Sequence, residues 1–372
     1  MVNTKDFYDY LVENNADFFT GVPDSLLANF CDCIKENSPS NKNIIAANEG
    51  NAIAIASGYH ISSGKYGVVY MQNSGLGNTV NPLLSLVDDE VYRIPMLLII
   101  GWRGEPNKKD EPQHVKQGKL TIPLLECLGI EYQILNDDFK IQLNTAFSYI
   151  KKNNKPYALV VQKDMFSKYN MTKANSEFQM KREEALEAII NTIEKDSFIV
   201  STTGKTSREI FEIRQRQNED HSHDFLTVGS MGHTASIALG MSIGNNKTIY
   251  CIDGDGSFIM HMGGIAIAAK NASSNFKYIL INNGAHESVG GQPTVGFDID
   301  VEGVLKDLGF CNVYSAKTVE DVKGGIKKLQ KHNSSALVIY VKQGSRENLG
   351  RPTISPESNK IDMMAKFLED AE

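Results

Sequence analysis

The stretch GDGSFIMHMGGIAIAAKNASSNFKYILINNG, residues 254–284, decides the fold of the second half of the chain. It follows the apolar run KTIYCI (247–252) and contains a second run, FKYILI (276–281), each typical of a strand buried on both faces. The segment between them has helical content, with Ser257 as its expected N-cap. Strand, helix and strand form a right-handed β-α-β unit, so both strands end at one edge of a parallel sheet, where ligands bind.

Polar groups follow both strands at that edge. Asp255 supplies a carboxylate oxygen, and Asn283 supplies an amide oxygen from the neighbouring loop. Gly254 and Gly256 allow close approach of the backbone, and the helix that starts near Ser257 presents free N–H groups suited to phosphate. Each turn taken singly is only a turn-forming sequence. The two turns at this spacing favour a site for Mg²⁺ bound to a diphosphate.

Two other phosphate-binding motifs are excluded by single positions. The dinucleotide fingerprint GxGxxG would need glycine at position 259, which is Ile259. The segment TTGKTS (202–207) is not a P-loop, because the first glycine of that motif would fall on Ile199.

The GDG triplet, followed about 25 residues later by Asn-Asn, resembles the motif of the thiamin diphosphate-dependent enzymes. This resemblance implies that Asp255, Asn283 and the backbone carbonyl of Ala285 hold Mg²⁺. It also implies that Gly256 and Ser257 contact the diphosphate of the cofactor.

Glu49 lies in NIIAANEGNAIAIASGYH (43–60), which resembles the strand–Glu–helix element of the same family. The resemblance implies that the Glu49 carboxyl hydrogen-bonds the aminopyrimidine of the cofactor and thereby drives removal of the C2 proton. By itself, Glu49 would be an acid in the first turn of a helix, stabilised by the helix dipole. The second-half motif favours the catalytic interpretation.

Further cofactor contacts are implied in the second half. TVGSMGHTASIALG (227–240) resembles the element that places an apolar side chain under the cofactor, which makes Met231 the candidate and Ser230 its neighbour in the site. The alternative for Met231 is an ordinary core methionine at a helix start. Thr203 and Gly204 fall where the family contacts the diphosphate.

The finer resemblance is to the phosphonopyruvate and sulfopyruvate decarboxylase branch, and it covers nearly the whole chain. It is carried by stretches such as GVPDSLL (21–27), NSGLGNTVNPLLSL (73–86) and NNGAHESVGGQPT (282–294). It implies non-oxidative decarboxylation of 3-phosphonopyruvate to phosphonoacetaldehyde and CO₂. Sulfopyruvate or another 2-keto acid is the alternative substrate; a carboligase and a non-catalytic subunit are the alternative classes.

Proton donors and cations are the remaining candidates. Asp24 and Ser25 fall where related decarboxylases place an Asp or a Ser, and His114 and His286 are the candidate histidines, although either could be an ordinary loop residue. A distal phosphonate would need cations. Four basic residues in loops after strands could supply them, although each could also be a solvated surface charge: Arg103, Lys116, Arg346 and Arg351.

The strand-like runs recur in both halves with helical patterns between them, which predicts two doubly wound parallel-sheet α/β domains of the thiamin diphosphate-binding fold. We expect a pyrimidine-binding domain over 1–165, a linker over 166–184, and a diphosphate- and Mg²⁺-binding domain over 185–372. Larger relatives carry a middle domain that this chain lacks. Because the family builds each site from two chains, we expect at least a homodimer.

Composition limits the partners and the compartment. The chain has 372 residues, a net charge of −7 and no basic block, which argues against nucleic acid. No apolar run is long enough for a membrane span, and the polar N-terminus does not resemble a signal peptide. The five cysteines form no CxxC pair, which favours reduced thiols and a cytoplasmic location.

Overall fold

The computed structural model describes residues 1–169 and 177–369. They divide into two compact α/β units, one on each side of residues 170–176, and each unit is built around its own six-stranded sheet. The predicted linker, 166–184, lies partly outside the described residues. Of its described part, Phe166 belongs to the core of the first unit and Met180 to the core of the second.

The first sheet is parallel throughout, with the strand order β2-β1-β3-β4-β6-β5. Its strands are β1 (Phe18–Gly21), β2 (Asn43–Ile45), β3 (Gly67–Gln72), β4 (Met96–Gly101), β5 (Glu131–Ile134) and β6 (Tyr157–Val161). Among the described residues of this unit, six α-helices accompany the sheet: α1 (Thr4–Glu13), α2 (Ala28–Asn37), α3 (Glu49–Ser63), α4 (Leu76–Pro82), α5 (Pro112–Cys127) and α6 (Phe139–Asn153).

Both faces of this sheet are buried. Alternate residues of β4 divide between two apolar clusters: Leu97 and Ile99 pack with α1, α2 and α6, whereas Leu98 and Ile100 pack with α3, α4 and α5. A strand covered on both faces carries apolar residues at every position, which explains the unbroken apolar runs in the sequence.

The second sheet has the order β13-β14-β10-β9-β7-β8 and is also parallel throughout. Its strands are β7 (Phe198–Ser201), β8 (Asp224–Leu226), β9 (Ile249–Gly254), β10 (Phe276–Asn282), β13 (Asn312–Ala316) and β14 (Ser335–Tyr340). The two short strands β11 (Ala285–His286) and β12 (Gln292–Pro293) form an antiparallel pair in the loop after β10.

The helices of the second unit also cover both faces of its sheet. Helices α7, α8 and α13 contribute to one apolar cluster, and α9 to α12 together with α14 contribute to the other. Their bounds are α7 (Arg182–Ile190), α8 (Lys205–Arg216), α9 (Thr234–Gly244), α10 (Asp255–Met260), α11 (Met262–Asn271), α12 (Val301–Asp307), α13 (Val319–Lys331) and α14 (Pro356–Glu369). None of the helices in the described part of the chain is long and apolar enough to cross a membrane.

One local expectation was wrong. Gly254, not Ser257, is the N-cap of the helix after β9, and Ser257 lies inside its first turn. The backbone leaves the helical region at His261 (φ −136°, ψ 48°), so the expected single helix is two, α10 and α11. The Ser257 hydroxyl instead accepts a hydrogen bond from the backbone N–H of Gly232 at 3.1 Å, which ties the helix to the preceding loop.

Candidate active site

Asp255 is the first residue of α10 and stands at the carboxyl end of β9. Its carboxylate is buried and accepts hydrogen bonds from the Thr294 hydroxyl and from the backbone N–H of Asn283. Burial raises the pKa of this carboxyl to about 6, although both hydrogen bonds act in the opposite direction. The structure therefore brings Asp255 and Asn283 together across neighbouring strands.

The amide of Asn283 has a fixed orientation. Its Nδ2 donates to Glu287 Oε2 at 2.8 Å, and its Oδ1 accepts from the backbone N–H of Ala285 at 3.0 Å. An amide oxygen has two lone pairs, so Oδ1 keeps one acceptor position for a cation. Ala285 opens β11 and pairs with Pro293, which fixes the backbone just beyond Asn283.

Glu287 connects Asn283 to a buried group of charges. Arg182 donates to Glu287 at 2.8 Å and to both oxygens of Glu209 at 2.7 and 2.8 Å, and Lys205 Nζ lies 3.3 Å from the other Glu287 oxygen. Burial alone would raise the pKa of Glu287, but the two cations hold it below its ordinary value. The Glu287 carboxylate is thus charged and can only accept hydrogen bonds.

Gly256 is packed too closely for any side chain. A Cβ at this position would lie 2.7 Å from His286 Nδ1 and 3.0 Å from the methyl group of Met231. The structure therefore gathers three predicted site residues at the start of α10. Burial lowers the pKa of His286 to about 4, so its imidazole is neutral near pH 7.

The other predicted cofactor residues of the second unit lie in loops at the same sheet edge. Thr203 and Gly204 precede α8, and Gly204 has a positive φ of 96° with Ser288 so near that a Cβ would clash with its hydroxyl. Ser230 is exposed, also has a positive φ of 56°, and lies 3.2 Å from His233 Nδ1. Strain at such a non-glycine position is common in loops that hold a ligand.

Glu49 is the first residue of α3 and follows β2. It is buried, and Asn78 donates to its Oε2 at 2.7 Å. Gly75 lies against the other side of the carboxyl group, where a Cβ would come within 2.5 Å of the carboxyl carbon. The side chain of Glu49 is therefore held between two elements that follow β3.

Asp24 and Ser25 follow β1 and meet the loop after β4. Arg103 donates to the Ser25 hydroxyl at 2.9 Å and forms a two-pronged ion pair with Asp110. Burial raises the pKa of Asp24 to about 6, against the nearby charge of Arg103. Asp24 is fully buried, and its Oδ1 has no hydrogen-bond partner in the described part of the chain.

His114, on α5, is buried beside the same ion pair. Burial, together with the Arg103 charge, lowers its pKa to about 4, and its Nδ1 has no hydrogen-bond partner among residues 1–169 and 177–369. The buried Asn73 amide bonds the backbone carbonyl and N–H of Arg103 at 2.8 and 3.1 Å, which holds this loop to the end of β3.

The four candidate cations lie in different elements of the two units. Arg103 lies at the carboxyl edge of the first sheet beside Asp24 and Ser25, whereas Lys116 is exposed on α5. Arg346 forms an ion pair with Glu183 at 3.1 Å in the second unit. Arg351 is exposed in the segment before α14.

The oxygen donors at the second edge fit a hard divalent cation. Within the described ranges, no group of three or more His, Cys, Asp and Glu side chains could hold a metal ion. A site there would combine one carboxylate, from Asp255, with the Asn283 amide and the Ala285 carbonyl. Such a mixed oxygen set is one that Mg²⁺ accepts when phosphate oxygens and water complete its shell.

Several residues of these sites were not predicted. Thr294, which contacts Asp255, and Asn78 and Gly75, which contact Glu49, come from segments distant in the sequence, whereas Glu287 lies four residues after Asn283 in the same loop. The sequence motifs contain these residues, but a single sequence does not specify which residue of one segment faces which residue of another.

Comparisons with known proteins identify the family of the chain. Residues 1–122 match the family model "Thiamine pyrophosphate enzyme, N-terminal TPP binding domain", and residues 202–340 match "Thiamine pyrophosphate enzyme, C-terminal TPP binding domain". A phosphonopyruvate decarboxylase of Streptomyces viridochromogenes is 30% identical over 90% of this chain and 87% of its own. That of Streptomyces hygroscopicus is 28% identical over 96% and 92%. A sulfopyruvate decarboxylase of Methanosarcina acetivorans is 25% identical over 94% and 93%.

The chain therefore belongs to the thiamine pyrophosphate enzymes, whose cofactor is thiamin diphosphate. It is a thiamin diphosphate-dependent carboxy-lyase of the phosphonopyruvate and sulfopyruvate decarboxylase type. The resemblance found in the sequence and the predicted fold class are both confirmed.

Proposed function

We propose that the chain catalyses the Mg²⁺-dependent, non-oxidative decarboxylation of 3-phosphonopyruvate to phosphonoacetaldehyde and CO₂. The choice of substrate rests on the match to two phosphonopyruvate decarboxylases, which extends over most of this chain and most of each relative. Sulfopyruvate is the second candidate, because the Methanosarcina sulfopyruvate decarboxylase matches over a similar length at lower identity.

The second unit would hold the cofactor. Asp255, Asn283 and the Ala285 carbonyl would bind Mg²⁺, and Gly254, Gly256 and Ser257 would contact the diphosphate. The buried contact between the Asp255 carboxylate and the backbone of Asn283 supports this assignment. When bound, thiamin diphosphate supplies the electron sink that accepts the electron pair of the carbon–carbon bond broken on release of CO₂.

Glu49 would exchange a proton with the N1′ nitrogen of the aminopyrimidine. Asn78 holds one oxygen of its carboxyl group, and Gly75 restricts the movement of the whole group. Burial excludes bulk water from this carboxyl group, which strengthens a hydrogen bond made to it.

Asp24 would return a proton to the reacting carbon, assisted by Ser25. With its pKa raised to about 6, Asp24 holds a proton in about a tenth of the molecules at pH 7, against fewer than about one in a thousand at its ordinary pKa of 3.8, which makes it a better general acid. His114 and His286 are neutral there and could carry a proton in either direction.

Arg103 is the candidate for the distal phosphonate. Its bonds to Ser25 and Asp110 use three of the five N–H donors of a guanidinium group and fix the plane of that group. The remaining donors can bond oxygens of a dianion, for which the planar fork of arginine is well suited.

Under this proposal a complete site draws on both units, because Glu49 lies in the first and Asp255 in the second. We propose that the unit containing Glu49 acts on cofactor held by a second copy of the chain, in a homodimer or larger assembly. Such closed, symmetric pairing is the commonest form of soluble assembly.

Release of CO₂ by the purified protein tests the proposal. Phosphonopyruvate, sulfopyruvate and pyruvate are compared by kcat/KM, with and without Mg²⁺ and thiamin diphosphate. We expect turnover only with both additions, and a preference for phosphonopyruvate. A preference for sulfopyruvate would identify sulfopyruvate as the substrate in place of phosphonopyruvate. No turnover of any of the three acids would contradict the proposed decarboxylase activity.

A pair of variants tests the role of Arg103. Arg103→Met should raise KM for phosphonopyruvate roughly 10-fold or more, because a charge-assisted bond to the substrate is lost. Lys116→Met, which removes an exposed cation from α5, is the matched control and should leave KM unchanged.

A further inference from the structure

The loop after β10 contains the carboxylate of Glu287, which contacts side chains from three different segments. Glu287 is bonded by Asn283 at 2.8 Å and by Arg182 at 2.8 Å, and Lys205 lies 3.3 Å away. These partners come from the loop itself, from the start of α7 and from the start of α8. One side chain therefore joins three elements at the carboxyl edge of the second sheet.

Arg182 is the anchor of this group. Its side chain is only 5% exposed. Its two-pronged ion pair with Glu209 fixes the plane of the guanidinium group, independently of the bond to Glu287. A buried charge network of this kind is weak support for stability, because the cost of removing the charges from water offsets their attraction. Such a network can instead hold a neighbouring side chain in one orientation.

The geometry that it fixes is the direction of the Asn283 amide. The two ends of an amide have similar size and differ mainly in hydrogen bonding. A carboxylate flanked by Arg182 and Lys205 is an acceptor only, so it selects the orientation with Nδ2 towards Glu287. Oδ1 then points to the opposite side, towards the Ala285 backbone.

We infer that Glu287, held by Arg182, is a positioning residue that keeps the Asn283 amide oxygen directed at the metal. The inference rests on the proposed function, because Asn283 and Asp255 are metal ligands only under that proposal. Glu287 itself would contact neither metal nor substrate.

The same loop also reaches the proposed diphosphate-binding segment. The hydroxyl of Ser288 accepts from the backbone N–H of Lys205 at 3.4 Å and leaves no room for a side chain at Gly204. Residues 287 and 288 thus bind the Asn283 loop to the 203–205 loop. Loss of Glu287 should therefore weaken metal and cofactor retention together.

The test measures retention of thiamin diphosphate after gel filtration as a function of Mg²⁺ concentration. In Glu287→Gln, the side chain keeps its size but can donate as well as accept, so it no longer selects the orientation of the Asn283 amide, which then depends on the Ala285 N–H alone. We expect the half-saturating Mg²⁺ concentration to rise roughly 10- to 100-fold, the usual effect of removing a group that orients a metal ligand. Unchanged half-saturation in a folded Glu287→Gln protein would overturn the inference.

Glu183→Gln is the matched control. Glu183 is paired with Arg216 at 2.8 Å and Arg346 at 3.1 Å in the same unit. Its loss should lower the melting temperature to an extent typical of an ion pair and leave half-saturation unchanged. An equal rise in both variants would show that any lost ion pair has this effect, and would also overturn the inference.

Two further variants keep the test decisive. If Glu287→Gln does not fold, Glu287→Asp keeps the charge and withdraws the carboxylate from Asn283; a rise in half-saturation supports the inference and no rise overturns it. Asp255→Ala separates the inference from the proposed function. Cofactor retention that survives Asp255→Ala refutes the metal site itself, whereas retention lost in Asp255→Ala but normal in Glu287→Gln refutes only the role of Glu287.

Discussion

At the carboxyl edge of the second sheet, Asp255 accepts two hydrogen bonds and the Asn283 amide is bonded at both ends. At the corresponding edge of the first sheet, Asp24 Oδ1 and His114 Nδ1 are buried with no hydrogen-bond partner among the residues described. A fully bonded group can hold a ligand in one place. A buried group that lacks a partner is destabilising until something bonds to it.

This difference indicates a division of work between the two units. We propose that the second edge holds a fixed charged group and that the first edge keeps titratable groups for the reacting substrate. Glu49, in the first unit, differs from Asp24 and His114, because Asn78 and Gly75 restrain its carboxyl group from two sides.

The largest expected effect concerns the carboxyl edge of the second sheet, here called the holding edge. Asp255→Ala removes the carboxylate of the metal site, so we expect Mg²⁺ and thiamin diphosphate to be lost together, with affinity reduced by more than roughly 100-fold. Calorimetric titration of the cofactor in the presence of Mg²⁺ measures it. Near-normal cofactor binding would break the comparison by showing that the second edge does not hold the cofactor.

A pair of glycines tests the restraint on Glu49. A Cβ at Gly75 would clash with the Glu49 carboxyl group, whereas a Cβ at Gly77 would meet nothing within 4 Å. Gly75→Ala should lower kcat roughly 100-fold, because a shift of about 1 Å in a catalytic group has that effect, and should leave cofactor retention intact. Gly77→Ala is the control. Equal kcat in the two variants would argue against a positioned Glu49.

A second pair applies the same change to the holding edge. Gly256→Ala would press on His286 and Met231, whereas Gly263→Ala meets nothing within 4 Å. We expect cofactor affinity to fall roughly 10-fold in Gly256→Ala, from the displacement of its neighbours, and to be unchanged in the control. If kcat fell instead and affinity did not, the two edges would not differ in the way described.

A further prediction concerns stability and pH. Because the pKa of Asp24 is raised from 3.8 to about 6 by burial, the folded protein loses stability as pH rises from about 4 to about 6, and the loss is complete above that range. Asp24→Asn lacks this loss, on the order of 3 kcal/mol. Denaturant unfolding of both proteins at pH 4 and pH 8 should show the variant gaining relative stability at pH 8. A constant difference would contradict the buried, ionisable Asp24.

Much of the fold was predictable, because strands buried on both faces leave unbroken apolar runs. The strands β9 and β10 are such runs. Four strands of the two six-stranded sheets were not predicted: β1, β5, β8 and β13. Each has at most five residues, and three of them lie at sheet edges. A short or half-exposed strand carries too few apolar positions to show a period. The expected N-cap at Ser257 was wrong because Gly254 fills that position.

The site was predictable where it depends on one loop and not where it depends on two. Asp255, Asn283 and Glu49 stand at strand ends and in recognisable motifs. The contacts of Thr294 with Asp255, and of Arg103 with Ser25, join segments that are 39 and 78 residues apart. Such pairings follow from strand order, which one sequence does not specify.

The most direct test of the account is the rate at which the C2 hydrogen of enzyme-bound thiamin diphosphate exchanges with D₂O, measured by NMR without substrate. We predict rapid exchange in the unaltered protein. In Glu49→Gln we predict exchange slower by roughly 10²- to 10⁴-fold, the range of a lost general acid–base group, with cofactor still bound. Equally fast exchange in Glu49→Gln, or failure of that variant to retain the cofactor, would contradict the claim that Glu49 acts on a cofactor held by Asp255 and Asn283.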